Sequence, residues 1–148
     1  MEQLNALIES HYHTPGLLED ILDRLQNQDI SLNNVLRKNI SGVDEFHVRG
    51  AEVSKELAEE IGLRNARILD VGCGIGGPAR MLAEDFNCHV TGIDISHEFI
   101  RTAIGLSELV GLEDRTEFIQ GDALNLPFDR NSFDVVWTQH VQMNIQAK

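Results

Sequence analysis

The run Asp70-Val71-Gly72-Cys73-Gly74-Ile75-Gly76-Gly77-Pro78 constrains this chain more than any other stretch of it. It follows the strand-like Ile68-Leu69-Asp70-Val71 and precedes a helical pattern carried by Ala79, Leu82, Ala83 and Phe86. Gly72, Gly74 and Gly77 satisfy a G-x-G-x-x-G spacing in the strand-to-helix setting that gives this spacing its meaning. Glycines let the chain turn tightly there and bring its backbone against a ligand, which any Cβ would obstruct. Pro78 suits the first helical turn, where its missing N–H costs nothing. With the next apolar run, Val90-Thr91-Gly92-Ile93, the segment predicts a βαβ unit.

The alternation continues downstream. Phe99, Ile100, Ala103, Ile104 and Val110 share one face of a further helix that Gly111 can stop. A strand near Thr116-Glu117-Phe118-Ile119, a loop through Leu126-Pro127-Phe128 and a strand Phe133-Asp134-Val135-Val136-Trp137 follow. Strands and helices alternating with short connections imply an α/β domain whose parallel sheet is covered on both faces. Residues 1–62 read instead as a helical N-terminal cap, with the half domain at 63–148. Leu17, Leu18, Ile21, Leu22 and Leu25 form an apolar stripe after Thr14-Pro15-Gly16. A short helix is expected from the cap residue Ser31 to Ser41-Gly42, and another carries Val53, Leu57, Ala58 and Ile61 before Gly62 closes it.

At 148 residues the chain has room for one buried core. Its net charge of -12 gives a surface that repels phosphate backbones and anionic headgroups, which argues against nucleic acid and membranes as partners. Only two cysteines, Cys73 and Cys88, are present, spaced neither as a metal site nor as a disulfide framework, so a reducing cytoplasmic setting is expected. Met1-Glu2-Gln3-Leu4 opens no signal peptide, and no apolar stretch approaches the ~18 residues of a membrane span.

Three acids refine the ligand. Asp94 ends the second strand, and its separation of 20 residues from Gly74 is that of an acid binding ribose hydroxyls. Loop and acid together point to an adenosine-containing cofactor without choosing among them. Asp70, just before the glycines, repels a pyrophosphate and attracts a ligand carrying an ammonium and a sulfonium. Asp122, after Ile119-Gln120-Gly121, lies at the carboxyl edge of the sheet, where it can accept from an adenine amino group.

These residues resemble the class I S-adenosylmethionine-dependent methyltransferases. Residues 68–77 look like that family's first motif, Val90-Thr91-Gly92-Ile93-Asp94-Ile95 like its second and Gly121-Asp122-Ala123-Leu124-Asn125-Leu126-Pro127-Phe128 like its adenine-binding segment. Phe133 to His140 looks like its fourth strand. Asp44-Glu45-Phe46-His47-Val48-Arg49-Gly50 resembles the segment that opens its small-molecule branch, which includes sterol, tocopherol, quinone and glycine methyltransferases. The resemblance implies a Rossmann-like, doubly wound sheet and S-adenosyl-L-methionine as cofactor. It implies that Gly72 and Gly74 contact the methionine part, with Asp70 and Cys73 in the same loop, and that Asp94 binds ribose while Ile95 packs on adenine. Asp122 takes the adenine amino group, the backbone of Ala123 a ring nitrogen, and Gln139 and His140 lie beside the methionine end.

The implied reaction is in-line displacement of a methyl group from sulfonium by a small-molecule acceptor, for which the protein mainly supplies alignment. No protein nucleophile is required. Cys73 reads as a small residue tolerated in the loop, since no activating neighbour is evident. His11 and His13 make at most two ligands of a metal site. His140 is the one candidate general base. The family's Asn-Pro-Pro-Tyr-like segment and Pro-Cys pair, which accompany methylation of nucleic-acid bases, are missing.

The resemblance also implies a seven-stranded sheet, and only about four strands are legible before Lys148. The fourth strand is then expected to be an exposed edge carrying Val135, Val136 and Trp137, prone to self-association as a homodimer or larger assembly, or the chain a piece of a longer protein. Two other readings stay open: a dinucleotide-binding (NAD) oxidoreductase fragment, and a noncatalytic interaction module with a retained cofactor-type fold.

Overall fold

A computed structural model describes residues 15–44 and 50–139. Its strands are β1 (Arg67–Val71), β2 (His89–Asp94), β3 (Thr116–Gln120) and β4 (Val135–Thr138), all parallel in the order β3-β2-β1-β4. Upstream come α1 (Leu17–Asn27), a 3-10 turn (Arg37–Ile40), the single turn α2 (Ser41–Asp44) and α3 (Gly50–Glu60). Helix α4 (Gly77–Asp85) crosses from β1 to β2, and α5 (His97–Leu109) from β2 to β3. The expected α/β, Rossmann-like alternation is therefore present. Strand order reverses between β1 and β4, which opens a crevice at their carboxyl ends.

Because strand side chains alternate, the register puts Ile68, Asp70, Val90, Gly92, Phe118, Val135 and Trp137 on one face. Ala58 of α3, Ala79, Met81, Leu82 and Ala83 of α4, and Ile100 and Ala103 of α5 pack into one core with Ile68, Val90, Phe118 and Trp137. Each large apolar side chain buried this way contributes about 1.5–3 kcal/mol. Helix α1 does not join that core. Its Leu17, Ile21 and Leu25 form a second cluster with Ile40, Val43, Ile75, Phe99 and Leu106.

The docking of α1 has a polar part as well. The helix has no side-chain cap of its own, and Glu98 of α5 supplies one, with Oε1 accepting from the backbone N–H groups of Gly16 and Leu17 at 3.0 Å each. Arg101 then bridges Glu98 to Glu19. At the other end Arg37 reaches Glu84 and Asp85 of α4.

Several local expectations need correction. No helix runs from Ser31 to Ser41-Gly42. The Ser31 hydroxyl accepts from Asn33 N–H and its carbonyl from Asn34 N–H, so the residue closes a turn, and Ser41 begins α2 instead of ending a helix. In α3 the buried side are Ser54 and Ala58, while Leu57 and Ile61 are exposed. Ile104 also faces solvent, its place in the α5 core taken by Thr102, Leu106 and Ser107. Strand β4 starts at Val135 rather than Phe133: Asp134 turns its carboxylate to the N–H of Arg67, and Phe133 packs edge-to-face on Phe128 at 5.0 Å. Of the three apolar residues assigned to an exposed β4 edge, Val136 alone is exposed, at 64%; Trp137 is buried and Val135 half-buried in the core. Gly62 and Gly111 do close their helices in left-handed conformation, with φ of 65° and 75°.

Candidate functional site

The glycine loop leaves β1 in a left-handed conformation, with φ of 73° at Gly72 and 56° at Gly74. A Cβ placed on Gly74 would meet nothing within 4 Å, so the position is open to a ligand and costly for any other residue only through its backbone. Gly77 has a different reason. A Cβ there would collide with the backbone carbonyl of Asp44, so the third glycine of the motif serves the packing of α2 on α4.

The loop is tied down internally. Gly72 N–H and Cys73 N–H donate to the Ile93 carbonyl at 2.8 and 3.1 Å, Gly76 N–H to the Cys73 carbonyl at 3.0 Å, and Gly74 N–H to Oδ2 of Asp94 at 2.9 Å. A loop built to cradle phosphates leaves such donors pointing outward. Here four of them are satisfied within the protein, and the side chain below the loop is an acid.

That acid is Asp70. It is 2% exposed, and among the described residues its Oδ2 has no hydrogen-bond partner. Burial, and secondarily the charge of Asp94, push its carboxyl up to about 7. The simple expectation of a full negative charge is corrected accordingly: near neutral pH the group is poised between forms, and a cation placed beside Oδ2 fixes the charged one. Asp94 is half-buried; its second oxygen accepts from Ser96 N–H at 2.9 Å, so this carboxylate braces the loop against the start of α5.

On the β2–β3 side, Ile95 is 67% exposed immediately after Asp94, an apolar side chain left uncovered at the crevice rim. Gly121 N–H donates to the Asp94 carbonyl, which holds the segment after β3 beside it. Asp122 is exposed, with Oδ1 accepting from Leu124 N–H at 2.9 Å. Ala123 sits half-buried within that turn. Cys73 is buried with its thiol held well above its usual range by burial and then by Asp70 and Asp94, the opposite of an activated nucleophile. Gln139 follows β4, its side-chain oxygen accepting from Ser54 and Trp137. His140, His11, His13 and residues 45–49 of the opening segment lie outside the described residues.

Sequence reasoning missed Arg80. Its side chain is fully buried and donates to both oxygens of Asp44, to the carbonyls of Ile75 and Ala103 and to the Ser107 hydroxyl. The available signal was an arginine inside the apolar run of α4, where a surface helix would carry it outward. Ser54 was missed too, hidden in a helix chosen for its aliphatic residues.

Fold and crevice together define an α/β protein whose parallel sheet opens a crevice at its topological switch point. Residues 68–148 match the family model described as "Methyltransferase domain", and the chain belongs to that family. It is 44% identical over 82 residues to a sterol 24-C-methyltransferase of Gibberella zeae, covering 55% of this chain and 22% of that protein. It is 36% identical over 126 residues to phosphoethanolamine N-methyltransferase 1 of Arabidopsis thaliana, covering 84% of this chain and 25% of that one. Haemonchus contortus phosphoethanolamine N-methyltransferase 2, solved with S-adenosyl-L-methionine, superimposes with a TM-score of 0.56 at 30% identity over 61% of this chain and 21% of its own. The chain thus spans about a quarter of the length of these relatives. Among the described residues no helix is long and apolar enough to cross a membrane.

Proposed function

We propose that this chain is the cofactor-holding part of an S-adenosylmethionine-dependent methyltransferase acting on a small molecule. The observation that carries the reading is the unpartnered Oδ2 of Asp70 beneath a loop whose amides are already satisfied. That arrangement suits a positively charged ligand and opposes a pyrophosphate, which disfavours NAD. Residues 1–62 act as the cap and 63–148 as the half domain that binds.

In this reading Asp70 faces the cationic end of the cofactor, and Gly72, Cys73 and Gly74 line it with backbone. The free lone pairs of Asp94 take ribose hydroxyls, and the exposed Ile95 packs on adenine. Asp122 takes the adenine amino group and the backbone of Ala123 a ring nitrogen, with Gln139 and His140 at the methionine end. The cofactor, when bound, supplies a methyl group already activated on sulfonium; the chain's residues bind and orient it and keep water from the reacting face. The acceptor class is a metabolite such as those named for the relatives, the setting is cytoplasmic, and Val136 on the β4 edge supports self-association.

Calorimetric titration with S-adenosylmethionine, S-adenosylhomocysteine and NAD tests the binding claim: the first two bind and NAD does not. NAD binding without response to the others would reverse it. Methyl transfer to a panel containing phosphoethanolamine and sterols tests turnover, and binding without transfer to any member would favour a noncatalytic module. Sedimentation of the chain and of Val136→Lys tests the edge: the substitution should shift the chain toward monomer.

A further inference from the structure

At the carboxyl end of the crevice, β4 lies directly beside β1, with Asp70 paired to Trp137 and Val71 to Thr138. Two residues beyond Trp137, Gln139 is locked in one orientation. The indole Nε1 of Trp137 stands 3.1 Å from its Oε1, and the hydroxyl of Ser54, on α3, donates to the same oxygen at 2.8 Å. An indole nitrogen can only donate, so chemistry alone assigns that atom as the amide oxygen. Ser54 and Trp137 are each only 4% exposed, so this pair of hydrogen bonds is sheltered from water. With the oxygen held by two donors, the planar amide has to turn its NH2 the other way. No described residue accepts from that NH2.

A ligand with an amino-acid end needs partners for two opposite charges. Asp70 answers the ammonium or sulfonium. The carboxylate finds the amides of Gly72, Cys73, Gly74 and Gly76 already engaged and two acids, Asp70 and Asp94, nearby. Gln139 carries the donor on the β4 side of the same crevice.

We propose that Gln139 donates its side-chain N–H to the carboxylate of an amino-acid-bearing nucleoside, and that Ser54, from a helix outside the glycine loop, is the positioning residue that with Trp137 holds the amide in the donating orientation. The assignment rests on the cofactor reading above and deepens it. Losing Ser54 leaves the indole of Trp137 as the remaining described donor to the amide oxygen, so the NH2 is held less firmly toward the carboxylate. Adenine and ribose are unaffected, because their partners lie on the β2–β3 side.

The test compares two ligands in the 148-residue chain: S-adenosylhomocysteine, and 5′-methylthioadenosine, which keeps the adenosine and the sulfur but has no amino-acid end. Ser54→Ala should weaken S-adenosylhomocysteine by about 5–10-fold, the scale of one hydrogen bond, and leave 5′-methylthioadenosine within about twofold. Ser54→Thr, which keeps the hydroxyl, should restore the first. Gln139→Glu, which sets a carboxylate against a carboxylate, should weaken S-adenosylhomocysteine alone by at least about tenfold. The ratio of the two affinities is measured on one sample, so loss of folded protein cancels from it. Equal weakening of both ligands, or an unchanged ratio in Ser54→Ala and Gln139→Glu, would overturn the proposal while leaving the cofactor reading intact. Failure of the unsubstituted chain to bind either nucleoside would overturn both.

Discussion

Arg80 and Asp70 are buried ionisable side chains on either side of one glycine loop, and they are treated in opposite ways. All three guanidinium nitrogens of Arg80 donate to groups of this chain, and its carboxylate partner Asp44 is 5% exposed. Asp70 keeps one oxygen with no donor among the described residues. A buried charge whose partners all come from the chain serves folding, because it ties α2, the loop, α4 and α5 into one body. A buried charge left short of a partner destabilises the free chain and gains from a ligand that supplies one.

The largest effect should come from breaking the satisfied member. Arg80→Met leaves Asp44 buried without a counter-charge and should cost about 3–5 kcal/mol in urea unfolding. A loss below about 1 kcal/mol would mean that the two sites are not different in kind.

The unsatisfied member should respond with the other sign. The Asp70 carboxyl is raised from 3.8 to about 7, so its protonated form is favoured in the folded chain. The stability this lends is complete below about pH 4 and is lost as pH rises through about 7, reaching about 4 kcal/mol when fully developed. Asp70→Asn should therefore leave stability nearly unchanged at about pH 4 and raise it at about pH 8, while weakening S-adenosylmethionine. Thermal melts of both proteins across that range read the sign; destabilisation at about pH 8 would contradict it.

Smaller effects sharpen the boundary between the two sites. Gly77→Ala drives a methyl group into the Asp44 carbonyl and should cost about 1–3 kcal/mol, felt on the Arg80 side of the loop. Glu98→Ala removes the cap that α5 lends to α1 and should cost about 1 kcal/mol in the same unfolding measurement.

The same contrast explains what was legible in the sequence. The glycines, Asp94 and the strand alternation carry their meaning in spacing along the chain, so the parallel sheet and the crevice follow from local pattern. Arg80, Ser54 and the second role of Gly77 take theirs from residues such as Asp44, Gln139 and Ser107, which are distant in sequence, so no window of neighbours shows them. Ser31 misled because a hydroxyl that caps a helix closes a turn equally well, and the choice depends on packing beyond it. Ile104, Leu57 and Ile61 fit an apolar periodicity, yet the orientation of each helix was set by Ala103, Ser54 and Ala58, the residues small enough to sit inside.

The proposed function makes Asp70 the counter-charge of a cationic ligand. Titrating the chain and Asp70→Asn with S-adenosylmethionine from about pH 5 to about pH 8 tests it directly. The affinity of the unsubstituted chain should climb toward about tenfold per pH unit below 7 and then level off, with a proton released on binding in the lower range, while Asp70→Asn responds weakly and without pH dependence. Equal affinities for the two proteins, unchanged across the range, would contradict it.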